Sequence, residues 1–250
     1  MQNQKSAKIA LTNVDVTGID CFARSFFIKH IFLNPFKFKN KKDKVKIPIL
    51  KNINLEINHG EKVGFLGFNG SGKSSLLKAI AGIYPQESGK IDVYGTISAI
   101  IDMGLGFDGE LTGRENIKLG LLYFNRITEY SKELEEQVIE FSELGEKIDV
   151  PIKYYSSGMI SRLAFSISTS TESDILLLDE VFAAGDAKFV QKSSDYMKQK
   201  FQKSSISIMV SHAENIIREN CTRCVLLQNG EIIADGATDD VFKEYNKVKI

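Results

Sequence analysis

The amino-acid sequence predicts an α/β fold, because three observations agree. Segments with strand character alternate along the chain with segments of helix character. The run Ile175–Leu178 is continuously apolar, as in parallel strands that are buried on both faces. A short strand, Lys62–Gly67, runs directly into a glycine-rich loop and then into a helix. With 250 residues, the chain can bury a substantial core in one large domain or in two small ones.

Composition and charge exclude several classes of protein. Hydrophobic residues make up 43% and charged residues 26% of the chain, which excludes a disordered, fibrous or multi-span membrane protein. The 32 basic and 32 acidic side chains cancel, so the net charge predicts no nucleic-acid partner. Every apolar run is far shorter than the roughly 20 residues that cross a bilayer. If the protein works at a membrane, we expect a partner to supply the spanning helices.

The cysteines and the N-terminal segment indicate a cytosolic setting. Cys21, Cys221 and Cys224 are odd in number in a chain of this size, which argues against a disulfide framework. Met1–Lys8 is polar and is not followed by an apolar core, so it lacks the pattern of a secretory signal. We therefore expect a reducing environment.

The first two predicted strands enclose a segment of different composition. Ile9–Val16 and Ile49–Ile57 alternate apolar and polar residues, as half-buried strands do. Between them, residues 24–46 carry eight lysines and arginines against one acid, Asp43, together with five phenylalanines. The neutral charge of the whole chain therefore hides a basic, aromatic insert.

The remaining elements follow from periodicity and turn residues. A turn at His59–Gly60 precedes the strand Lys62–Gly67, and Asn229–Gly230 between two strands predicts a hairpin. The alternation gives an α/β core with some antiparallel strands at each end. The predicted helices are Lys73–Ala81, Glu115–Gly145, Met159–Ser170, Phe189–Lys200 and Ala213–Glu219, and the further strands are hairpin-like pieces around Lys90–Gly95, then Ile206–Val210, Cys224–Gln228 and Glu231–Asp235.

The glycine-rich loop between strand and helix fits the P-loop pattern. Its glycines let backbone N–H groups curl around phosphates, and the N-terminus of the next helix adds a positive end. Lys73 is expected to reach the β- and γ-phosphates of ATP, and the Ser74 hydroxyl to bind Mg²⁺. The alternative is a flexible loop before an ordinary helix. The predicted ATP-binding residues are Gly67, Phe68, Asn69, Gly70, Ser71, Gly72, Lys73, Ser74 and Ser75.

Two acids end the apolar strand that begins at Ile175. Asp179 would bind Mg²⁺, directly or through water, and Glu180 would act as the general base that polarises the attacking water. Taken alone, such a pair is often a strand terminus or a helix N-cap. Together with the P-loop, it favours nucleotide hydrolysis.

A third motif precedes the predicted helix at Met159, about twenty residues ahead of Asp179. It comprises Ser156, Ser157, Gly158 and Met159. This arrangement resembles the signature motif of ABC ATPases, which serves the nucleotide held by the other subunit of a dimer. A serine hydroxyl and a helix N-terminus suit that role. The alternative is a serine N-cap with no ligand.

Two further matches agree with the ABC ATPase resemblance. His212 follows the strand Ile206–Val210, in the place of the switch histidine that contacts the γ-phosphate, and Asp186 lies where the family has its D-loop at the dimer interface. The resemblance covers Ile9–Tyr245. It implies a single P-loop NTPase domain of the ABC type over residues 1–250, with an antiparallel β subdomain and a helical subdomain at about residues 110–170.

The resemblance can be narrowed to the ATP-binding subunits of bacterial polysaccharide exporters. The segments that carry it are Met103–Asp108, Leu111–Asn116, Tyr155–Met159, Arg162–Phe165, Asp179–Val181 and Gly185–Phe189. That family exports O-antigen, capsular polysaccharide or teichoic acid. It implies ATP and Mg²⁺ as ligands, a second copy of the chain, two copies of a transmembrane permease subunit, a lipid-linked glycan as substrate, and a peripheral place on the cytoplasmic face of the inner membrane.

The sequence departs from the family pattern at three places. Asp102 is the nearest polar candidate for the position where most members have a glutamine beside Mg²⁺. The aromatic residue that stacks on adenine would fall near Gly18, so Phe22 or an aromatic of the insert would have to replace it. The chain ends at Ile250 without the carbohydrate-binding domain of some relatives, so we do not expect it to recognise a glycan end.

Several alternatives stay open from the sequence. The insert at 24–46 could lie at anionic headgroups or contact the permease or substrate, or it could be a solvated loop with a small aromatic cluster. Cys221 and Cys224 supply two thiolates where a structural zinc needs four ligands, and His212 does not complete the set. A soluble ABC ATPase acting on ribosomes or DNA, and an exporter of lipid, peptide or drug, are the competing functions.

Overall fold

The strands divide between two sheets that differ in strand direction. The computed structural model describes residues 6–19, 46–101, 106–123, 126–179, 187–211 and 213–248. Its strands are β1 (Lys8–Ile19), β2 (Lys46–Asn58), β3 (Lys62–Leu66), β4 (Ser88–Tyr94), β5 (Ile97–Ile100), β6 (Ile175–Asp179), β7 (Ile206–Val210), β8 (Arg223–Gln228) and β9 (Glu231–Ala237). Its helices are α1 (Lys73–Ile80), α2 (Gly113–Tyr123), α3 (Lys132–Ser142), α4 (Ser157–Thr169), α5 (Ala187–Lys203), α6 (Glu214–Asn220) and α7 (Thr238–Val248). The predicted α/β class is confirmed.

The smaller sheet is antiparallel, in the order β2–β1–β4. Ile9 lies opposite Ile57 of β2 and opposite Val93 of β4. The predicted alternation is present, because Ile9 and Leu11 of β1 are buried while Thr12 is exposed. The sheet thus presents one apolar face to the rest of the protein.

The hairpin predicted around Lys90–Gly95 is wrong. Strand β4 pairs with β1, whereas β5 joins the larger sheet beside β6. The reason is a long-range contact: the carboxylate of Asp174 accepts hydrogen bonds from the Thr96 N–H at 2.8 Å and from its hydroxyl at 2.9 Å. These bonds, the backbone bond first, lower the pKa of Asp174. Gly95 therefore sends the chain from one sheet to the other.

The larger sheet has the order β5–β6–β7–β3–β8–β9 and is parallel except for the last pair. Val210 at the end of β7 lies opposite Phe65 of β3 on one side and opposite Asp179 of β6 on the other. Neighbouring strands lie about 4.8 Å apart, so the last residues of β3 and β6 are roughly 10 Å apart at the same edge. The loop that follows β3 therefore begins at the same edge as Asp179, the last residue of β6.

Apolar side chains cover both faces of the larger sheet. Along β6, Ile175 and Leu177 belong to the core shared with α1 and the smaller sheet. Leu176 and Leu178 belong to the opposite core, which α5, α6 and α7 cover. The predicted burial of this strand on both faces is confirmed.

A separate apolar cluster joins α2, α3 and α4, with Ile117, Val138 and Leu163 among its members. The sequence predicted one helical stretch from Glu115 to Gly145, and this is wrong: α2 ends at Tyr123, a short 3₁₀ helix covers Ile127–Glu129, and α3 starts after Ser131. Two side chains cause the break. Ser131 accepts a hydrogen bond from the Leu134 N–H at 3.1 Å as the N-cap of α3. Buried Arg126 donates to the Ile97 carbonyl at 3.0 Å and to the Glu172 carbonyl.

The C-terminal part contains the predicted hairpin and an unpredicted helix. Asn229 and Gly230 have φ values of 51° and 83°, as a tight turn between β8 and β9 requires. The helix α7 follows at once and buries Val241 and Phe242. Within the described ranges, the structure contains no helix that is both long and apolar enough to span a membrane.

Candidate nucleotide-binding site

The loop after β3 has a backbone that only glycine can adopt at its first position. Gly67 has a φ of 145°, and a Cβ atom there would lie 2.4 Å from the Leu227 carbonyl oxygen and 2.5 Å from the Ser71 hydroxyl oxygen. Gly70 and Gly72 have φ values of 78° and 109°. The predicted glycines are thus suited to the positive φ values of the loop and, at Gly67, to the close approach of neighbouring atoms.

Backbone hydrogen bonds attach this loop to both sheets. The Ser71 carbonyl accepts a hydrogen bond from the Gly230 N–H at 3.0 Å, and the Gly230 carbonyl accepts one from the Lys51 N–H at 2.8 Å. Within the loop, the Phe68 carbonyl accepts from the Ser71 N–H at 3.1 Å. The turn between β8 and β9 therefore supports the loop from outside.

The ammonium group of Lys73 lies inside the curve of the loop. Lys73 is buried, and its Nζ donates to the Gly67 carbonyl at 2.9 Å and to the Phe68 carbonyl at 3.0 Å. Helix α1 starts at Lys73 without a side-chain cap. Its first N–H groups and one buried positive charge thus face the same concavity.

The Ser71 hydroxyl indicates whether the loop can hold a phosphate group. Its hydroxyl is buried, and among the described residues it has no hydrogen-bond partner. Gly70 has no atom within 4 Å of the place where a Cβ would stand, so the loop is open on that side. Phosphate oxygens are strong acceptors, and they would satisfy this hydroxyl and the N–H groups of the loop together. The residues therefore fit an anionic phosphate group.

Oxygen donors suitable for a hard cation lie at the same sheet edge. Ser74 is the second residue of α1, and Asp179 is the last residue of β6; both are half-buried. Helix α1 is in contact with β6. Hydroxyl and carboxylate oxygens are ligands that Mg²⁺ accepts. The donor set is thus consistent with the predicted metal residues.

Five of the candidate site residues named from the sequence lie outside the described residues. They are Phe22, Asp102, Glu180, Asp186 and His212. The insert at 24–46 also lies outside them, except for Lys46 at the start of β2. The roles given to these residues stay predictions.

The signature segment forms the N-terminus of α4. The Ser156 hydroxyl accepts a hydrogen bond from the Met159 N–H at 3.3 Å, so Ser156 is the N-cap, while Ser157 is exposed and begins the helix. A Cβ at Gly158 would meet its nearest atom at 3.9 Å, so that side of the helix end is open. The serine N-cap, which the sequence offered as the alternative, is present, and the helix end beside it is open to an anion.

Tyr155 anchors this segment to the helical cluster. Its ring is buried, and its hydroxyl donates to the Lys147 carbonyl at 2.6 Å. Burial raises the pKa of Tyr155. The signature therefore belongs to the cluster of α2, α3 and α4, while the P-loop belongs to the larger sheet.

The cysteine pair is buried away from the loop. Desolvation raises the pKa of the Cys221 thiol and of the Cys224 thiol, and the Cys224 Sγ lies 3.6 Å from the Thr238 hydroxyl oxygen. In the part of the chain that the structure describes, no group of three or more His, Cys, Asp or Glu side chains is placed to hold a metal ion. Both thiols act as small apolar groups of the core.

One neighbour of the loop escaped the sequence analysis. The ring of Tyr245, on α7, lies 5.5 Å from the ring of Phe68 between centroids, at an interplanar angle of 40°. A signal was present, because Val241, Phe242 and Tyr245 have the spacing of one apolar helix face. Position along the chain gave no indication that this face would reach the P-loop.

A family profile described as "ABC transporter" matches residues 50–183. The O-antigen export system ATP-binding protein RfbE of Yersinia enterocolitica is 40% identical over 75% of this chain and 79% of its own length. The polysialic acid transport ATP-binding protein KpsT of Escherichia coli is 45% identical over 74% of this chain and 82% of its own length. The teichoic acids export ATP-binding protein TagH of Bacillus cereus is 37% identical, and the chain spans 40% of that longer protein.

Solved structures show the same fold at lower identity. The structure titled "Structure of ATP binding subunit of ABC transporter" gives a TM-score of 0.67 at 19% identity, covering 95% of this chain and 93% of the other. The dimeric structure of a post-hydrolysis state of the ATP-binding cassette MJ0796 bound to ADP and Pi gives 0.65 at 22% identity, covering 92% of this chain and 98% of the other. The two sheets and the helical cluster therefore have known counterparts.

Proposed function

This chain belongs to the ABC transporter ATP-binding family, and on that premise we propose that it powers export of a lipid-linked cell-surface polysaccharide through a separate permease. The observation that carries the proposal is the similarity to RfbE and KpsT over about three-quarters of the chain. The names of these relatives specify O-antigen export and polysialic acid transport. ATP bound in the loop, whose geometry fits phosphate groups, would supply the energy for export.

The chain binds and hydrolyses ATP as a member of this family. Backbone N–H groups of the loop, the Ser71 hydroxyl and the helix N-terminus would hold the β- and γ-phosphates. Lys73 would exchange its two carbonyl partners for phosphate oxygens, because the charged partner is the stronger acceptor. These groups act on the substrate and on the transition state alike.

Mg²⁺ would be held by the hydroxyl of Ser74 and the carboxylate of Asp179. When bound, the ion withdraws charge from the phosphate oxygens and so eases attack on the γ-phosphorus. Asp102 remains a candidate for a further contact. Oxygen-only donors at the end of β6 support this assignment.

Glu180 is proposed as the general base and His212 as a γ-phosphate contact. Glu180 would take a proton from water while the water oxygen bonds to the γ-phosphorus and the bond to the bridging oxygen of ADP breaks. The Glu180→Gln variant should bind ATP normally but lose roughly 10²- to 10⁴-fold in kcat, because the amide cannot accept the proton. Gel filtration with ATP should then show a trapped dimer. The exposed Glu231→Gln is the control, and parental turnover by Glu180→Gln would contradict the role.

Two chains would form a head-to-tail dimer with two composite sites. Each site would join the P-loop of one chain to Ser156, Ser157, Gly158 and Met159 of the other, with Asp186 at the interface. The open helix end at Ser157 supports this arrangement, and the dimeric state of the MJ0796 structure agrees with it. A γ-phosphate between two helix N-termini would hold both chains together.

The permease is proposed to dock at a cleft between the larger sheet and the helical cluster. A cavity of about 670 Å³ lies there, with Ile83, Ile97, Ala99, Leu121 and Ile167 in its wall. Ile101 also lines this cavity, and it precedes Asp102 in the sequence, near the position where the family links its metal site to the permease. Two permease subunits would hold the dimer at the cytoplasmic face of the inner membrane.

Deletion of the gene tests the exporter function in cells. The deletion strain should lose its surface polysaccharide and accumulate lipid-linked glycan on the cytoplasmic side, and the parental chain but not Glu180→Gln should restore export. Membrane fractionation should place the protein with its permease. A protein found with ribosomes in the soluble fraction, or normal surface glycan after deletion, would contradict the proposal.

A further inference from the structure

An aromatic contact joins the C-terminal helix to the P-loop. The Phe68 ring is 39% exposed, and its described ring partner is Tyr245, at 5.5 Å between centroids. A tilted pair at this distance is within the favourable range for aromatic rings. The contact spans 177 positions of sequence and meets the loop at the first of its exposed residues.

The packing of helix α7 fixes the position of Tyr245. Phe242, one turn earlier, is fully buried, and its ring lies 6.3 Å from the Tyr245 ring. The Arg218 guanidinium carbon stands 3.9 Å from the centroid of the Phe242 ring, and Arg218 also forms an ion pair with Asp239 at 2.5 Å. Buried packing and these contacts set where the Tyr245 ring stands.

The backbone of Phe68 is part of the nucleotide site. Its carbonyl accepts hydrogen bonds from the Lys73 ammonium at 3.0 Å and from the Ser71 N–H at 3.1 Å. Any backbone shift that accompanies movement of the Phe68 ring would therefore displace the carbonyl partner of two groups that would meet the phosphates. Ring position and phosphate geometry are coupled through a single residue.

Among the described residues, few other groups restrain the Phe68 ring. Gly67 and Gly70 have no side chains to fix the loop, and Asn69 is exposed. An open cavity of about 450 Å³ borders Gly67, Phe68, Asn69 and Tyr245. Without the Tyr245 ring, the Phe68 side chain has room to change rotamer.

We propose that Tyr245 is a positioning residue that holds Phe68, and through it the P-loop, in the conformation that binds nucleotide. The proposal rests on the assignment of this loop as the ATP site. Tyr245 would act without touching the nucleotide. The loop binds phosphates in the ground state and in the transition state, so a looser loop weakens binding more than it slows the chemical step.

The Tyr245→Ala variant tests the proposal. We expect the KM for ATP to rise roughly three- to tenfold, the range that follows from the loss of an aromatic pair, with kcat within about twofold of the parental value. The Kd for ADP, measured by calorimetry without Mg²⁺, should rise by the same factor. Tyr245→Phe keeps the ring and should restore both values. Tyr94→Ala, which removes a tyrosine that is 39% exposed on β4, is the matched control.

A double-mutant cycle separates positioning from simple stability. Phe68→Leu should raise the KM for ATP like Tyr245→Ala, and the double variant should be little worse than either single variant, because both remove one contact. If Tyr245→Ala fails to fold, the same cycle is measured with Tyr245→Leu in its place. Fully additive effects would overturn the proposal.

Two other results would overturn it. A Tyr245→Ala chain with a lower Tm but parental KM and Kd would show that α7 only stabilises the fold. A Tyr245→Phe chain as impaired as Tyr245→Ala would show that the hydroxyl, not the ring, matters. ATP turnover by the parental chain reports separately on the proposed function, so its absence would be seen before any variant is compared.

Discussion

Gly67 shows how strictly a single residue is determined at the nucleotide site. Its φ of 145° disfavours any side chain, and the Leu227 carbonyl oxygen stands 2.4 Å from the place of a Cβ. The obstacle is backbone of a neighbouring strand, so it cannot rotate away. A Cβ atom at position 67 would therefore meet both backbone strain and a steric clash.

The Gly67→Ala variant should lose nucleotide binding. Backbone strain and the contact with β8 should cost roughly 1–3 kcal/mol and displace the loop from its phosphate-binding shape. Calorimetric titration with ADP measures the loss. Gly60→Ala is the matched control, since Gly60 also has a positive φ, of 92°, but has no atom within 4 Å of its Cβ position. Parental ADP affinity in Gly67→Ala would contradict this account.

At the residue scale, the sequence predicted the P-loop glycines and Lys73 because local spacing alone defines that motif. It did not predict that the Gly230 N–H supports Ser71, since these residues are 159 positions apart. Tyr245 was missed for the same reason. Partners brought together by sheet order are invisible to a local pattern.

At the element scale, a buried carboxylate joins the helices of the helical cluster. The Glu135 side chain of α3 accepts hydrogen bonds from Arg114 of α2 at 2.6 Å and from the Tyr130 hydroxyl at 2.5 Å, and Arg114 also binds Asp149 at 2.7 Å. Burial opposes the ionisation of Glu135, but these hydrogen bonds outweigh it and lower its pKa. The ionised form is thus the one that the folded state favours.

The helical cluster should lose stability in acid through Glu135. A carboxyl whose pKa falls on folding stabilises the fold above its unfolded pKa, near 4.5, and this contribution disappears as the pH falls through the lower folded value. Glu135→Gln should therefore unfold more easily at pH 7, by roughly 1–3 kcal/mol, and show a weaker loss of stability between pH 5 and pH 3. Urea unfolding at each pH measures both effects.

Glu140→Gln is the control for this prediction, because Glu140 is an exposed acid of the same helix. It should keep the parental pH profile. A Glu135→Gln chain with the parental slope between pH 5 and pH 3 would show that other acids cause the acid loss.

Elements were predicted best where one apolar period is uninterrupted. The strand β6 and the hairpin around Gly230 are local in origin and were predicted. The helical stretch 115–145 was predicted as one element because the sequence does not show that Arg126 binds the carbonyls of Ile97 and Glu172. Likewise, Asp174, far along the chain, holds Thr96 just before β5, which joins the larger sheet instead of pairing with β4.

At the scale of the whole molecule, the two halves of the proposed composite site lie on separately packed parts of the chain. The P-loop is built on the larger sheet, and the signature is built on the helical cluster through Tyr155. A dimer can therefore combine one part from each chain. This division predicts complementation between two different defects.

Mixed dimers should regain activity that neither parent shows. Lys73→Ala removes the proposed phosphate contact, while Gly158→Asp places a carboxylate at an open helix end, which the fold tolerates but a phosphate does not. In a mixed dimer, one site keeps an intact P-loop and an intact signature. A one-to-one mixture should recover about a quarter of parental ATPase activity, because half of the dimers are mixed and each has one intact site.

The control for this experiment is each variant alone, measured at the same total protein concentration as the mixture. Activity of the mixture equal to the mean of the two separate chains would contradict the head-to-tail arrangement. Recovery that depends on total protein concentration would in turn report on the strength of the dimer.

The bond from Gly230 to Ser71, together with the bond from Lys51 to Gly230, makes a continuous backbone path from the smaller sheet to the nucleotide loop. The amide protons in this path exchange with solvent only when both hydrogen bonds open together. The amides of Lys51 and Gly230 should therefore share one slow deuterium exchange rate before any nucleotide is added, and both should slow further when ADP binds.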